Sequence, residues 1–146
     1  LQGLSEIHRH NAGTVAHWST INGAARTRTS ATPINLVDNS TTGAPSDATP
    51  GFKLDLTYRA TEGVATVPME IGVYGSSAGG SPLGTVTLVD STNTVVATVT
   101  LNSGTPQWFT TTVSLPATLA KYDVRFAGDG TNAVSVIAFS IVEWEA

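Results

Sequence analysis

Three consecutive segments near the C-terminus decide the fold: QWFTTTVSLP (107–116), YDVRFAGDG (122–130) and VSVIAFSIVEW (134–144). In the first segment, Trp108 and Phe109 belong to opposite faces of a strand, because side chains alternate between the two faces. The second segment is a short alternating strand that ends in a Gly/Asp turn. The third is apolar on both faces, which is typical of a central strand that is covered on two sides. Together they predict consecutive strands of an all-β protein.

The same period of two continues upstream of these segments. Residues 52–59 and 69–74 alternate apolar with polar side chains, and each stretch predicts one strand. Residues 86–101 contain two alternating strands around the turn at 90–93, which predicts a hairpin. Residues 27–34 are predicted to form one more strand. Because no window shows a helical period of 3.6, the pattern predicts a β-sandwich of two mainly antiparallel sheets.

Length and composition indicate one domain over residues 1–146, with 1–50 as a less regular N-terminal segment that ends in a long polar loop at 39–50. The chain has no cysteine, so disulfides and thiolate metal sites are excluded. Charged residues make up only 12% of it, and its hydroxyl-rich composition favours an extracellular or virion-surface location. The net charge of −4 argues against nucleic-acid binding. The longest apolar run, 134–142, is too short for membrane insertion.

Two features of the sequence bear on catalysis. Gly75–Gly79 matches the G-x-S-x-G pattern of hydrolases, but that chemistry needs an acid and then a histidine later in the chain, and every histidine precedes it. We therefore interpret the segment as a flexible loop between strands. The acidic residues form no pair suited to glycosidase chemistry, and Glu143 and Glu145 are expected to mark the exit of the last strand to solvent. The sequence predicts no catalytic residue and no enzyme.

Two further groups have binding chemistry in principle. His8 and His10 would share a strand face and could hold a metal with His17, but no carboxylate joins them, so we expect surface or interface histidines and no metal site. Arg26 and Arg28 would share a face and could hold an anion. An exposed edge strand protected by charge is the alternative that we prefer.

Exposed aromatic rings are the strongest candidate binding groups, since such a ring can stack on the apolar face of a sugar. Trp108 lies opposite the core face of its strand, and Tyr74 is expected at a strand end beside the glycine-rich loop. Trp18 and Trp144 are expected in the core, as is Val15.

The order of these segments resembles the C-terminal half of the carbohydrate-binding modules of family six and its relatives, with the best match from Trp108 to Trp144. The resemblance implies a jelly-roll sandwich with a sugar site among loops at one edge, where aromatic rings clamp the sugar and an asparagine before the last strand binds its hydroxyls. Asn132 falls close to that asparagine, although Ser135 is the closer positional match.

The family's structural calcium is not implied for this chain. Of the acidic first strand only Glu6 remains, and Ile137 stands where the last strand would supply an aspartate. The expected site therefore needs no cofactor.

The leading hypothesis is a non-catalytic carbohydrate-binding module whose shallow, loop-built site binds a glycan or polysaccharide. Trp108 and Tyr74 would stack on the sugar, while Asp129 and Asn132 would bind its hydroxyls. The alternative is a structural or attachment protein of a virus particle, a decoration, head-fibre or tail-fibre domain. In that case residues 1–50 would hold a homo-oligomer or other virion subunits together.

Overall fold

The structure is a computed structural model that describes residues 6–8, 15–19, 25–37, 52–78 and 83–143, and of residues 6–8, 15–19, 37, 52 and 53 it describes the backbone alone. The described residues form strands and one helix of four residues, α1 (Thr57–Ala60), and no helix among them is long and apolar enough to cross a membrane. The strands, in chain order, are β1 (Glu6–His8), β2 (Val15–Ser19), β3 (Arg26–Arg28), β4 (Ile34–Val37), β5 (Phe52–Asp55), β6 (Thr66–Ser77), β7 (Gly84–Asp90), β8 (Val95–Leu101), β9 (Gln107–Pro116), β10 (Leu119–Ala127) and β11 (Val134–Glu143).

The strands form two sheets. Sheet A has the order β1-β5-β10-β7-β8, and β4 pairs with β10 beyond the end of β5. Sheet B has the order β2-β11-β6-β9, and β3 pairs with β11 beyond the end of β2. Every pairing between these strands is antiparallel except that of β1 with β5.

The connectivity is that of a jelly roll. Among β3, β4 and β6 to β11, the orders β3-β11-β6-β9 and β4-β10-β7-β8 place the first, eighth, third and sixth strands in one sheet and the second, seventh, fourth and fifth in the other. The predicted all-β jelly-roll sandwich is confirmed.

The core lies between the inner faces of the two sheets and follows the predicted alternation. Met69, Ile71 and Val73 of β6 are buried, as are Val124 and Phe126 of β10. These side chains pack into one cluster with further apolar residues from both sheets. Burying an apolar side chain of this size stabilises the fold by about 1.5–3 kcal/mol, so this shared cluster is the main stabilising term.

A β-bulge in β11 keeps the central strand of sheet B in contact with the core. Val136 lies opposite Gly75 and Ala138 lies opposite Tyr74, so Ile137 is an extra residue without a partner position on β6. Buried side chains before the bulge end at Val136, and after it they resume three residues later at Phe139. Without the bulge, the inner positions after Val136 would fall on the other face.

The expectation that β11 is covered on two sides is wrong. Its inner residues are buried, but the residues between them, 135, 137, 138, 140 and 142, are only half-buried. The reason is that sheet A covers only the inner face of β11, so the side chains on the outer face keep part of their surface exposed.

The predicted strand at 52–59 ends earlier than its alternation implies. β5 ends at Asp55, whose Oδ1 accepts hydrogen bonds from the backbone N–H of Thr57 at 3.0 Å and from its hydroxyl at 2.6 Å. This local turn competes with the extended conformation and starts α1. Leu54 and Leu56 are nevertheless both buried, as the alternation predicts.

Two other expectations are corrected. Residues 27–34 form parts of two strands, because Ser30 Oγ accepts the N–H of Thr32 at 3.0 Å and closes a turn between β3 in sheet B and β4 in sheet A. Glu143 does not exit to solvent. It is only 8% exposed, its Oε1 accepts the hydroxyl of Tyr58, and its Oε2 lies 3.8 Å from Nε of Arg59, so it joins α1 to the end of β11.

Deleting Ile137 should abolish folding. Without the bulge, Phe139 and Ile141 would turn to the outer face, and the loss of buried side chains of this size costs about 3–5 kcal/mol each, comparable with the whole stability of a domain. Ile137→Ala keeps the number of residues, so we expect it to cost only about 1–2 kcal/mol. Thermal unfolding followed by circular dichroism compares the two. A cooperative transition in the deletion variant would contradict this role of the bulge.

Candidate functional site

The outer face of sheet B brings together two of the predicted site residues. Tyr74 on β6 lies directly opposite Trp108 on β9, and their ring centroids are 5.5 Å apart with an interplanar angle of 59°. Tilted pairs at this separation are favourable. Trp108 is 53% exposed, whereas Tyr74 is half-buried. The predicted exposure of Trp108 is therefore confirmed. Tyr74, however, lies three residues before the end of β6 rather than at a strand end.

Gly72 allows the indole ring to lie on the sheet. A Cβ at position 72 would be 3.3 Å from Cε3 and Cζ3 of Trp108 and 2.7 Å from Oγ of Ser140. The ring therefore extends from β9 over β6 and uses the space that a side chain would fill. We call Trp108, Tyr74 and Gly72 the aromatic platform. Gly72 was not predicted as a site residue, although an outward-facing glycine inside a strand is a sign of close approach by another group.

Short polar side chains surround the aromatic platform. Thr110, Thr112 and Ser114 follow Trp108 at alternate positions on β9 and are exposed. Ser140 lies opposite Gly72 on β11, and Glu70 on β6 lies opposite Thr112. The described strands β6, β9 and β11 contain two charged residues, Glu70 and Glu143. Glu143 is buried at the end of β11, so Glu70 is the one charged residue that these strands place on this face. The surface offers an aromatic ring beside hydroxyl groups that can donate or accept hydrogen bonds.

Asp129 and Asn132 lie apart from the aromatic platform, in the turn between β10 and β11. Tyr74 is opposite Ala138, four residues into β11, so roughly 12 Å of strand separates it from that turn. Asp129 Oδ1 accepts the N–H of Thr131 at 2.8 Å and the N–H of Asn132, and Oδ2 accepts Nδ2 of Asn132 at 3.0 Å. The structure thus joins these two side chains to each other and stabilises the turn with them.

The hydrogen bonds from Asn132 and then Thr131 hold the pKa of the Asp129 carboxyl below its ordinary value of 3.8. They favour the charged form because each donor points at the carboxylate.

The G-x-S-x-G segment is not a flexible loop over its described part. Gly75 to Ser77 are the last residues of β6, and Ser77 is buried. Its Oγ accepts the N–H of Gly84 at 3.1 Å, and its own N–H donates to Ser103 O at 2.9 Å. These bonds join β6 to the neighbouring connections, which is why the strand continues through a serine- and glycine-rich sequence.

Arg26 of β3 bonds to β4, and Arg28 bonds to the turn between these two strands. Arg26 donates from Nη1 to Asn35 O at 3.2 Å, and its guanidinium lies 5.1 Å from the centroid of the Phe126 ring. Arg28 donates to Thr32 O from Nε at 3.0 Å and from Nη2 at 2.7 Å. Each guanidinium therefore bonds to backbone carbonyls of this chain.

A shallow pocket of about 210 Å³ lies on sheet A beside the hairpin turn of β7 and β8. Burial, and to a smaller extent the charge of Asp90, raises the pKa of Tyr122 in this pocket. The pocket contains charged groups of both signs. It is lined by Asp90, Ser91, Asn93, Lys121, Tyr122, Asp123 and Arg125. The sequence analysis did not predict it.

Several predicted features lie outside the described residues. They include His10, Trp144, Glu145 and the loop at 39–50, while the side chains of His8, Val15, His17 and Trp18 are not described. The predictions for these residues stay predictions, as does the role of residues 1–50 in assembly. In the ranges that the structure describes, no three His, Cys, Asp or Glu residues form a cluster that could hold a metal ion.

Comparisons with known proteins do not identify a family or a function for the chain. No protein-family model matches the chain, and the search of curated proteins returned no match.

Asp129→Ala should destabilise the protein at neutral pH, because it removes the acceptor for Thr131 and Asn132. Since the folded-state pKa of Asp129 lies below 3.8, its contribution is fully present above that pH and is lost as the pH falls through the folded-state value. The difference in melting temperature between wild type and variant should therefore shrink below pH 3.8. Thr131→Ala keeps the backbone donor, so its smaller effect should not depend on pH. A difference for Asp129→Ala that grows on acidification would contradict this assignment.

Proposed function

We propose that the chain is a non-catalytic carbohydrate-binding module that binds a glycan through the aromatic platform. The half-exposed indole of Trp108, whose Cε3 and Cζ3 atoms lie over Gly72 and whose ring packs beside Tyr74, carries this proposal. A flat aromatic surface of this kind stacks on the apolar C–H face of a pyranose ring. The predicted loop-built site is thereby replaced with a site on the outer face of sheet B.

The energy available from the aromatic platform fits a weak binding module. A tryptophan side chain can bury up to about 250 Å², so an exposure of 53% leaves roughly 130 Å² uncovered. A sugar covering one face of the ring would remove about half of that area, worth about 1.5 kcal/mol at 25 cal/mol/Å². This contribution corresponds to about tenfold in affinity. Affinities from micromolar to millimolar are expected, since most of a sugar on an open sheet face stays solvated.

Hydroxyl groups near the aromatic platform supply the polar part of the proposed site. Thr110 is two positions from Trp108 on the same face, and Ser140 lies beside Gly72. Both can donate and accept hydrogen bonds, as the hydroxyls of a sugar require. Such recognition needs neither a cofactor nor a metal ion. The resemblance to the modules of family six and the hydroxyl-rich composition agree with this proposal and with an extracellular or virion-surface location.

A second candidate is a virion structural or attachment protein, and it rests on the sequence of residues 1–50, most of which lie outside the described residues. Carbohydrate binding is compatible with it, because attachment domains of particles also bind glycans. The two candidates differ in what residues 1–50 contact.

Trp108→Ala should lower glycan affinity at least tenfold without unfolding the protein, because an exposed ring contributes little to the core. Leu119→Ala is a matched control, since Leu119 is also 53% exposed but lies on β10. A glycan array identifies ligands, and titration calorimetry with the best one compares the variants. Affinity unchanged in Trp108→Ala, or no binding of wild type to any glycan, would contradict the proposal.

Gly72→Ala tests the geometry of the same site without removing an aromatic ring. The new Cβ would displace the indole ring by a few tenths of an ångström and crowd Ser140, so affinity should fall by less than in Trp108→Ala. The same calorimetric titration measures this change. An unchanged affinity would show that the position of the ring over β6 is irrelevant to binding.

A further inference from the structure

The two edges of the sandwich differ in charge. On one side, β8 is the last strand of sheet A and β9 is the last strand of sheet B, and the two strands pack against each other. The chain carries no charged residue from Ser91 to Ala120, so both strands are entirely uncharged. On the other side, β3 carries Arg26 and Arg28 and β1 carries Glu6, whereas β2 and β4 contain no Asp, Glu, Lys or Arg.

Charge on an edge strand normally prevents it from pairing with another chain. β9 has ten residues, and among the described strands it pairs with β6 alone, so one side of its backbone offers N–H and C=O groups for pairing. Proline, which also blocks an edge, occurs only as its last residue, Pro116. Among the described edge strands, β9 is the longest, and it has no charged residue to prevent pairing.

We infer that β9 pairs antiparallel with β9 of a second copy of this chain, around a twofold axis at Thr111. Residues directly opposite each other lie on the same face of the joined sheet. Because side chains alternate between the two faces, two opposite residues must be separated by an even number of positions in the sequence. The twofold axis therefore passes through a residue position and not between two positions. With the axis at Thr111, Phe109 of one copy is opposite Val113 of the other. Thr110 is in turn opposite Thr112.

In this register, residues of similar chemical character lie opposite each other. Phe109 and Val113 are only partly buried and pack against the core, so each gains an apolar neighbour from the second copy. Thr110 and Thr112 are both exposed on the outer face, and cross-strand threonine pairs are favourable. An uncharged strand suits a second copy because pairing around a twofold axis brings equivalent residues close together, where like charges would repel.

The pairing is long enough to hold a dimer. With the axis at Thr111, residues 107–115 of each copy pair over about 30 Å and would form on the order of ten backbone hydrogen bonds. The two copies of sheet B would become one continuous sheet, with both aromatic platforms on the same outer face. Trp108 is three positions from the axis, and its ring extends over β6, away from the joined edge. The two indoles would thus remain accessible, about 20 Å apart along the strands.

The oligomeric state of the full chain tests this inference. Sedimentation equilibrium over a concentration series should show a monomer–dimer equilibrium for wild type. The double variant Thr110→Lys with Thr112→Lys places lysines directly opposite each other, so the dimer should dissociate at least tenfold more readily. The matched control, Thr66→Lys with Thr131→Lys, adds the same charge at exposed threonines outside β9 and should dimerise like wild type.

A single cysteine tests the position of the axis. Because the chain has no cysteine, Thr111→Cys should form a disulfide-linked dimer on mild oxidation, whereas Thr131→Cys should not, since a disulfide needs Cα atoms within about 7 Å. A strict monomer at all concentrations would overturn the inference. So would a dimer that survives the Thr110/Thr112 lysine variant, or one that is lost only when residues 1–50 are removed. Glycan binding is measured separately, so neither proposal depends on the other.

Discussion

The bulge at Ile137 is the constraint on which the rest of the structure depends. β11 is the central strand of sheet B, and its two halves pair with β3 and β2 on one side and with β6 on the other. A regular strand of this length would bury only one of its halves, because the buried positions are spaced by three residues between Val136 and Phe139. The single extra residue keeps both halves in the core, and it sets which residues of β11 lie opposite each residue of β6.

The candidate site follows from that register. Since Ala138 and Ser140 of β11 lie opposite Tyr74 and Gly72 of β6, small side chains occupy the positions beside the indole of Trp108. The indole therefore has room over Gly72, and about half of Trp108 stays exposed. A larger residue at position 72 would force the ring off the sheet, so the exposed surface depends on the whole row of residues across the sheet and not on the tryptophan alone.

Most of the fold could be predicted from the sequence because period-two alternation reports directly on burial. It correctly assigned the inner faces of β6, β9 and β10. It failed where a local hydrogen bond competed, as at Asp55, and where an inserted residue changed the phase of the pattern, as in β11. The exposure of Trp108 was predictable from its strand face. Its pairing with Tyr74 was not, because register between strands distant in sequence cannot be deduced from either strand alone.

The central claim is that sugar binds on the outer face of sheet B at Trp108. The most direct test is an NMR titration of the protein with a glycan ligand, following the indole N–H resonances of its three tryptophans and the backbone amides. We predict that the Trp108 indole resonance and the amides of β6 and β9 around the aromatic platform shift together with one dissociation constant. Shifts confined to the turn at 128–133, with the Trp108 resonance unchanged, would contradict the account.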